Sequence, residues 1–139
     1  MEFKKQAKKA LRPKKLTSRK KALLAVEAAL SAKALQPVAL KVAKLVDYTD
    51  YFVILSGEST VQVKAISDKI QILIASTKSP ALGAEGEQEG RWVVVDWGDV
   101  VIHIFHRELR EFYELERLWA DAPRLKIPKE PKSPAAGPN

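Results

Sequence analysis

An α/β fold of about five strands with flanking helices is predicted by three features of the sequence. β-branched apolar runs alternate with helix-periodic segments, one run is apolar at every position, and a strong hairpin signal lies toward the carboxyl-terminal end. The fully apolar run is Tyr51 to Leu55 (YFVIL), as expected of a central strand covered on both faces. The hairpin signal lies in residues 91–105, where Trp92 to Val95 and Val100 to Phe105 flank Asp96-Trp97-Gly98-Asp99.

Residues 1–18 are too charged and too poor in apolar side chains to pack, and read as a basic, disordered arm. Such an arm attracts the phosphates of RNA without sequence choice; a solubilising tail or the remnant of a transit peptide, in which serine is scarce, are the other readings. Thr17 or Ser18 then caps a helix to about Gln36, with Leu23, Val26, Leu30 and Ala34 at helical spacing and Pro37 as its stop. Its other alanines allow close packing.

Val38 to Val46 reads as a strand because β-branched residues follow Pro37, and Asp47 to Asp50 as a turn into YFVIL. A short loop, Ser56-Gly57-Glu58-Ser59-Thr60, leads into a helix with Val63, Ile66, Ile70, Leu73 and Ile74 as its apolar stripe and Ser59 or Thr60 as its cap. Strand, glycine turn and helix start could hold an anion on free N–H groups, but a plain strand-to-helix loop needs the same residues. Ser79-Pro80 breaks the chain, Ala81 to Glu85 is a candidate short strand, and Gly86 to Gly90 is an acidic turn into the hairpin.

After the hairpin, Arg107 starts a helix with Leu109, Phe112, Leu115 and Trp119 along one side. Arg107 with Glu111 and Arg110 with Glu114 form i,i+4 pairs on it. Asp121-Ala122-Pro123 ends the domain, taken as residues 19–121, and residues 122–139 form a proline-rich basic tail.

If Trp97 and Gly98 form a two-residue turn, Asp96 faces Asp99, Val95 faces Val100, Val94 faces Val101 and Trp92 faces His103. Alternation then places Trp92, Val94, Asp96, Asp99, Val101, His103 and Phe105 on one side of the hairpin, and only aliphatic residues on the other. The aliphatic side reads as core. Large aromatics mixed with carboxylates and an imidazole are closer to an interface. Two opposed carboxylates repel, so a cation is expected to complete that edge. The plainer reading makes the aspartates turn formers, Trp92 core under a helix and His103 a satisfied strand histidine.

The net charge of +7 divides unevenly: residues 1–21 carry +9, residues 22–121 carry −5, and residues 122–139 carry +3. An acidic globule therefore bears basic ends. No cysteine is present, which removes disulfide scaffolds, thiolate zinc sites and cysteine nucleophiles. His103 and His106 fall on opposite sides of one strand, so no histidine metal pair is expected, and neither a catalytic site nor a cofactor site is predicted. Nucleotidyl transfer would need two carboxylates on one strand gripping divalent ions, and no such pair follows Gly57. No apolar run is long enough to span a bilayer and the amino terminus lacks a signal-peptide core, so a soluble, cytoplasmic protein without membrane contact is expected, with an organelle as the second choice.

Several segments carry a recognisable pattern: Asp50-Tyr51-Phe52-Val53-Ile54, Ser56-Gly57, Val63-Lys64-Ala65-Ile66, Trp92-Val93-Val94-Val95-Asp96, Gly98-Asp99-Val100-Val101-Ile102-His103-Ile104-Phe105, and Arg110 to Trp119 (REFYELERLW). Over about residues 22–121 the chain resembles the Iojap family of ribosomal silencing factors. It departs at Glu58-Ser59-Thr60-Val61-Gln62, where the family commonly has a threonine-serine-serine-arginine-histidine run. The resemblance implies a mixed sheet flanked by helices, nucleotidyltransferase-like in shape but without that activity, and a homodimer. It also implies binding to large-subunit ribosomal protein fourteen, where it would block joining of the small subunit and repress translation under nutrient limitation. Trp92, Asp96, Trp97, Gly98 and Asp99 match the family's partner-contacting hairpin, and His103 and Phe105 join them on the strand. A general RNA-binding or large-subunit assembly factor acting through its basic ends is the alternative.

Overall fold

In the computed structural model, which describes residues 16–127, five strands form one mixed sheet in the order β1-β2-β5-β4-β3. The strands are β1 (Leu35–Lys41), β2 (Tyr51–Gly57), β3 (Gly83–Glu85), β4 (Trp92–Asp96) and β5 (Val100–His106). Only β2 and β5 run parallel; the other neighbours are antiparallel. The helices are α1 (Ser18–Ser31), α2 (Thr60–Ala75), α3 (Arg107–Tyr113) and the single turn α4 (Leu115–Leu118). The expected class and strand count hold. The expectations for residues 1–15 and 128–139 lie outside the described residues.

Thr17 caps α1 as expected, its hydroxyl accepting the Lys20 N–H at 3.1 Å. The helix ends at Ser31 rather than near Gln36. Lys33 adopts φ 64° with its N–H on Leu30 O, and Ala34 donates to Ala29 O, which together close a Schellman turn. Glycine is the usual occupant of that left-handed position, so a lysine there gives no readable stop. Pro37 instead sits inside β1, within an irregularity between Leu35 and Val38 where Gln36 has φ 47°. A bulge on an edge strand tolerates the missing N–H. The strand thus starts at Leu35 and ends at Lys41, not Val46.

The outer edge of β1 is covered. Lys41 N–H donates to Pro123 O at 2.7 Å, Leu125 N–H donates to Ala39 O at 2.8 Å, and Leu40 bridges Arg124. The fold therefore continues past the expected boundary at residue 121, because an edge strand leaves backbone groups that need partners.

Helices α1 and α2 cover one face of the sheet. Ala22, Ala25, Val26 and Ala29 of α1 and Val63, Ile66, Ile70 and Ile74 of α2 bury against Val53, Leu55, Val93, Val95, Val100, Ile102 and Ile104. Ser59 caps α2, accepting the Gln62 N–H at 3.1 Å. A Cβ on Gly57 would lie 2.8 Å from Val63 Cγ2, so glycine is required there by the close approach of α2. Glu58, in the same turn, pairs with Arg107 at 3.0 Å. The turn thus answers to packing and already holds a carboxylate.

On the opposite face a smaller cluster gathers Val38, Leu40, Val42, Phe52, Ile54 and Phe105, with Leu109 and Trp119 laid over part of it. The helix after β5 is not continuous. Glu114 takes φ 46° and separates α3 from α4, so the expected single stripe does not form: Leu109 and Trp119 pack inward while Phe112 is 78% exposed. The expected i,i+4 pairs also give way. Arg107 reaches Glu58, and Arg110 is buried, its Nη1 donating to Ser56 Oγ at 2.9 Å and to Gln36 O at 2.6 Å. An arginine with those acceptors beneath it is worth more as a strut than as a surface ion pair.

Candidate partner-binding face

The β4–β5 hairpin pairs Trp92 with Phe105, Val93 with Ile104, Val94 with His103, Val95 with Ile102 and Asp96 with Val101. The expected register is therefore wrong by two residues, and Asp96 does not face Asp99. Trp97 N–H donates to Val100 O at 2.9 Å, which leaves Gly98 and Asp99 as the loop residues, with Gly98 at φ 82°. Positive φ at the first of two loop residues is the pattern of a type II′ turn, which suits the twist of the strands. A slip of two preserves side-chain parity, so Trp92, Val94, Asp96, Val101, His103 and Phe105 still share a face.

At the base of the hairpin these residues form an aromatic cluster. Trp92 stacks on Phe105 with ring centroids 4.9 Å apart and planes 26° apart, and meets the Tyr113 ring at 5.3 Å. Its Nε1–H donates to His103 Nδ1 at 3.2 Å. His103 in turn meets Phe52 edge-on at 5.3 Å, and Phe52 contacts Trp119 at 5.3 Å and Tyr48 at 6.2 Å. Burial among these rings pushes the His103 imidazole down from 6.5 to about 4, so it is neutral at physiological pH and able to accept the indole hydrogen bond. Phe105 is fully buried and supports the cluster, whereas Trp92 is half-buried, Tyr113 is 45% exposed and Tyr48 is 63% exposed. The exposed aromatic surface of this face is therefore Trp92, Tyr113 and Tyr48, on a floor of Phe52, His103 and Phe105.

The tip is built differently. Trp97 is 1% exposed and belongs to the helix-side core; its Nε1–H donates to Ser79 O at 2.6 Å. It therefore cannot be a partner anchor in the closed fold, a correction to the expected site. Lys21 from α1 reaches the tip, with Nζ 2.8 Å from Asp99 Oδ1, 3.3 Å from Trp97 O and 5.1 Å from the Trp97 ring centroid. The cation expected to complete the edge is thus supplied internally. Asp96 Oδ1 accepts the Gly98 N–H at 2.9 Å, holding the turn. Of the seven expected site residues, the fold gathers Trp92, His103 and Phe105 at one end of the hairpin and Asp96, Trp97, Gly98 and Asp99 at the other, about 13 Å away along β4.

Sequence reading missed Phe52, Tyr48, Tyr113 and Trp119. Phe52 shares the face because β2 lies parallel to β5, pairing Phe52 with Val101 and Ile54 with His103, and the period-two alternation of YFVIL was its only sequence signal. Among the described residues no cluster of His, Asp and Glu could hold a metal ion, and no helix is long and apolar enough to cross a membrane.

The family described as ribosomal silencing factor during starvation matches residues 15–139. A ribosomal silencing factor from Halalkalibacterium halodurans is 39% identical over 104 residues, which span 75% of this chain and 89% of that protein. The chloroplastic protein Iojap of Zea mays is 34% identical over 73% of this chain, which spans 44% of its length. A mouse protein named for mitochondrial assembly of the ribosomal large subunit is 43% identical over 52% of this chain, which spans 33% of its length. A crystal structure of a Chromobacterium violaceum protein superposes with a TM-score of 0.74 at 29% identity, covering 86% of this chain and 97% of that one. One from Bacillus halodurans gives 0.66 at 38% identity, covering 74% and 93%.

Proposed function

The chain belongs to the ribosomal silencing factor family, and from that membership we propose that it binds the large ribosomal subunit through the aromatic face of its sheet. The family is regulatory rather than enzymatic. Bound there, the protein covers the surface on which the small subunit docks and lowers translation when nutrients are short. The contacted component is large-subunit ribosomal protein fourteen, the protein acts in the cytoplasm as a homodimer, and its basic terminal segments add contacts to ribosomal RNA.

The observation that carries this reading is the state of Trp92. Its ring is held by Phe105, Tyr113 and the His103 hydrogen bond, yet stays half-buried on the face that α1 and α2 leave uncovered. An aromatic side chain fixed before binding loses little freedom when a partner covers it, which is the condition for an interface anchor. Asp96, half-buried at the far end of the same face, supplies a negative charge that orients a basic partner.

The test is sedimentation of purified subunits with the full chain at physiological salt and magnesium. Comigration with the large subunit alone, with fewer joined ribosomes, is expected. Equal comigration with both subunits, or binding only at low salt, would refute it. A second reading, assistance to large-subunit assembly, is favoured by the name of the mouse relative. It predicts incomplete large subunits in cells lacking the protein, where silencing alone predicts complete ones.

A further inference from the structure

The folded domain holds a second surface, at the corner where the start of α1 meets the strip that covers the sheet edge. A cleft of about 700 Å³ is bordered by Ser18 at the start of α1, Lys41 and Lys44 at the end of β1 and the loop beyond it, Asp50, Asp121, and Pro123 at the strip covering the sheet edge. The chain continues into residues 1–15 before the described part and 128–139 after it. The first holds seven Lys and Arg against Glu2, and the second holds Lys129 and Lys132 against Glu130.

The corner itself is cationic. Arg19 and Lys20 are exposed in the first turn of α1, which has no acidic residue there although a helix start favours one. Lys41, Lys44, Arg124 and Lys126 are also exposed. None of these six forms an ion pair with another described residue. Three carboxylates, Asp47, Asp50 and Asp121, share the corner, and two of them line the cleft beside Lys41 and Lys44, so cations outnumber carboxylates at the corner by six to three. The remaining described residues hold nine Lys and Arg against twelve Asp and Glu, so the positive field is local.

Strand alternation fixes where the rim points. Leu125 is buried with the helix-side core and Ala39 beside it, so Arg124, bridged to Leu40, emerges on the side of the aromatic face, while Lys41 emerges on the helix side. The cations thus wrap around the sheet edge as a ridge. A ridge follows a polyphosphate backbone; a flat anionic membrane would engage only one side of it. We propose that this corner binds the phosphate backbone of RNA, next to the aromatic face, through Lys41, Lys44 and Arg124 on the folded domain. Ribosomal RNA as the source of the phosphates rests on the large-subunit reading above; the surface itself does not.

The experiment measures binding of the full chain to a short RNA duplex by fluorescence anisotropy, and to purified large subunits by sedimentation, each across a salt series. Each phosphate contact contributes about 0.7 to 0.9 to the slope of log affinity against log salt, so the combined Lys41→Gln, Lys44→Gln and Arg124→Gln variant should lower both slopes by about 2. The single variant Trp92→Ala should leave the duplex slope unchanged. Unaltered slopes in the triple variant, with its thermal unfolding also unaltered, would overturn the corner as an RNA surface. So would equal losses of binding to anionic phospholipid vesicles and to RNA. Duplex binding that falls in the triple variant, in a protein that does not sediment with large subunits, keeps the corner and removes the large-subunit reading instead.

Discussion

Trp92 and Trp97 stand at the two ends of β4 and have opposite fates. Both indoles find an acceptor, His103 Nδ1 for the first and Ser79 O for the second, so hydrogen bonding does not distinguish them. Sidedness does. Trp97 falls on the parity of Val93 and Val95 and is sealed beneath α1 by Lys21, whereas Trp92 falls on the parity of His103's face and stays half-open. An aromatic residue in a hairpin thus acquires its surroundings from the face it lands on: one end of this hairpin is sealed in the core and the other stays half-open.

The largest effect expected from breaking this contrast is on the closed end. Trp97→Ala should destabilise the fold by about 3 to 5 kcal/mol, read as a fall in the urea midpoint. A loss below about 1 kcal/mol would mean that the tip is not part of the core.

At the open end the next effect is a pH dependence. Burial holds the folded-state pKa of His103 near 4, below its ordinary 6.5. The unfolded chain therefore takes up a proton in that window while the folded protein does not. Stability is full above about pH 6.5 and falls as pH drops toward about 4, by at most about 3 kcal/mol. Urea titrations of the parent and of His103→Gln across this range should diverge, with the variant flatter; parallel curves would place the dependence elsewhere.

Trp92→Ala should weaken large-subunit binding by about 2 kcal/mol, roughly thirty-fold, with a much smaller loss of stability than Trp97→Ala. Equal binding by variant and parent would remove Trp92 from the interface. The smallest effect is expected for Asp99→Asn, which weakens the Lys21 contact for about 1 kcal/mol of stability and leaves subunit binding unchanged. If binding falls while stability does not, the tip also touches the partner and the division between the ends disappears.

The α/β class, the five strands, the caps at Thr17 and Ser59 and the sidedness of the hairpin were legible in the sequence, because alternation and capping are local signals. Trp92, His103 and Phe105 were legible together for the same reason. Register was not: Gly98 can be either residue of a two-residue turn, and the choice depends on strand twist and on Lys21 arriving from α1. That choice decided Trp97. The end of α1 was hidden by Lys33 in a position where glycine is the usual signal. Arg110 reads as a surface helix residue until β2 places Ser56 beneath it, and Phe52 joins the face only through the parallel pairing of β2 with β5. Each of these is a long-range contact, which local pattern does not encode.

The strip from Pro123 to Leu125 along β1 also limits how other chains can join this one. At the opposite margin the sheet stops at β3, three residues long and lying next to an acidic turn. Neither margin offers a long free ladder for an incoming strand, so capture of an extended peptide by sheet extension, and runaway fibre growth by the same route, are both disfavoured. A mutation that frees the Pro123 strip would bare the β1 edge and open it to pairing with another chain.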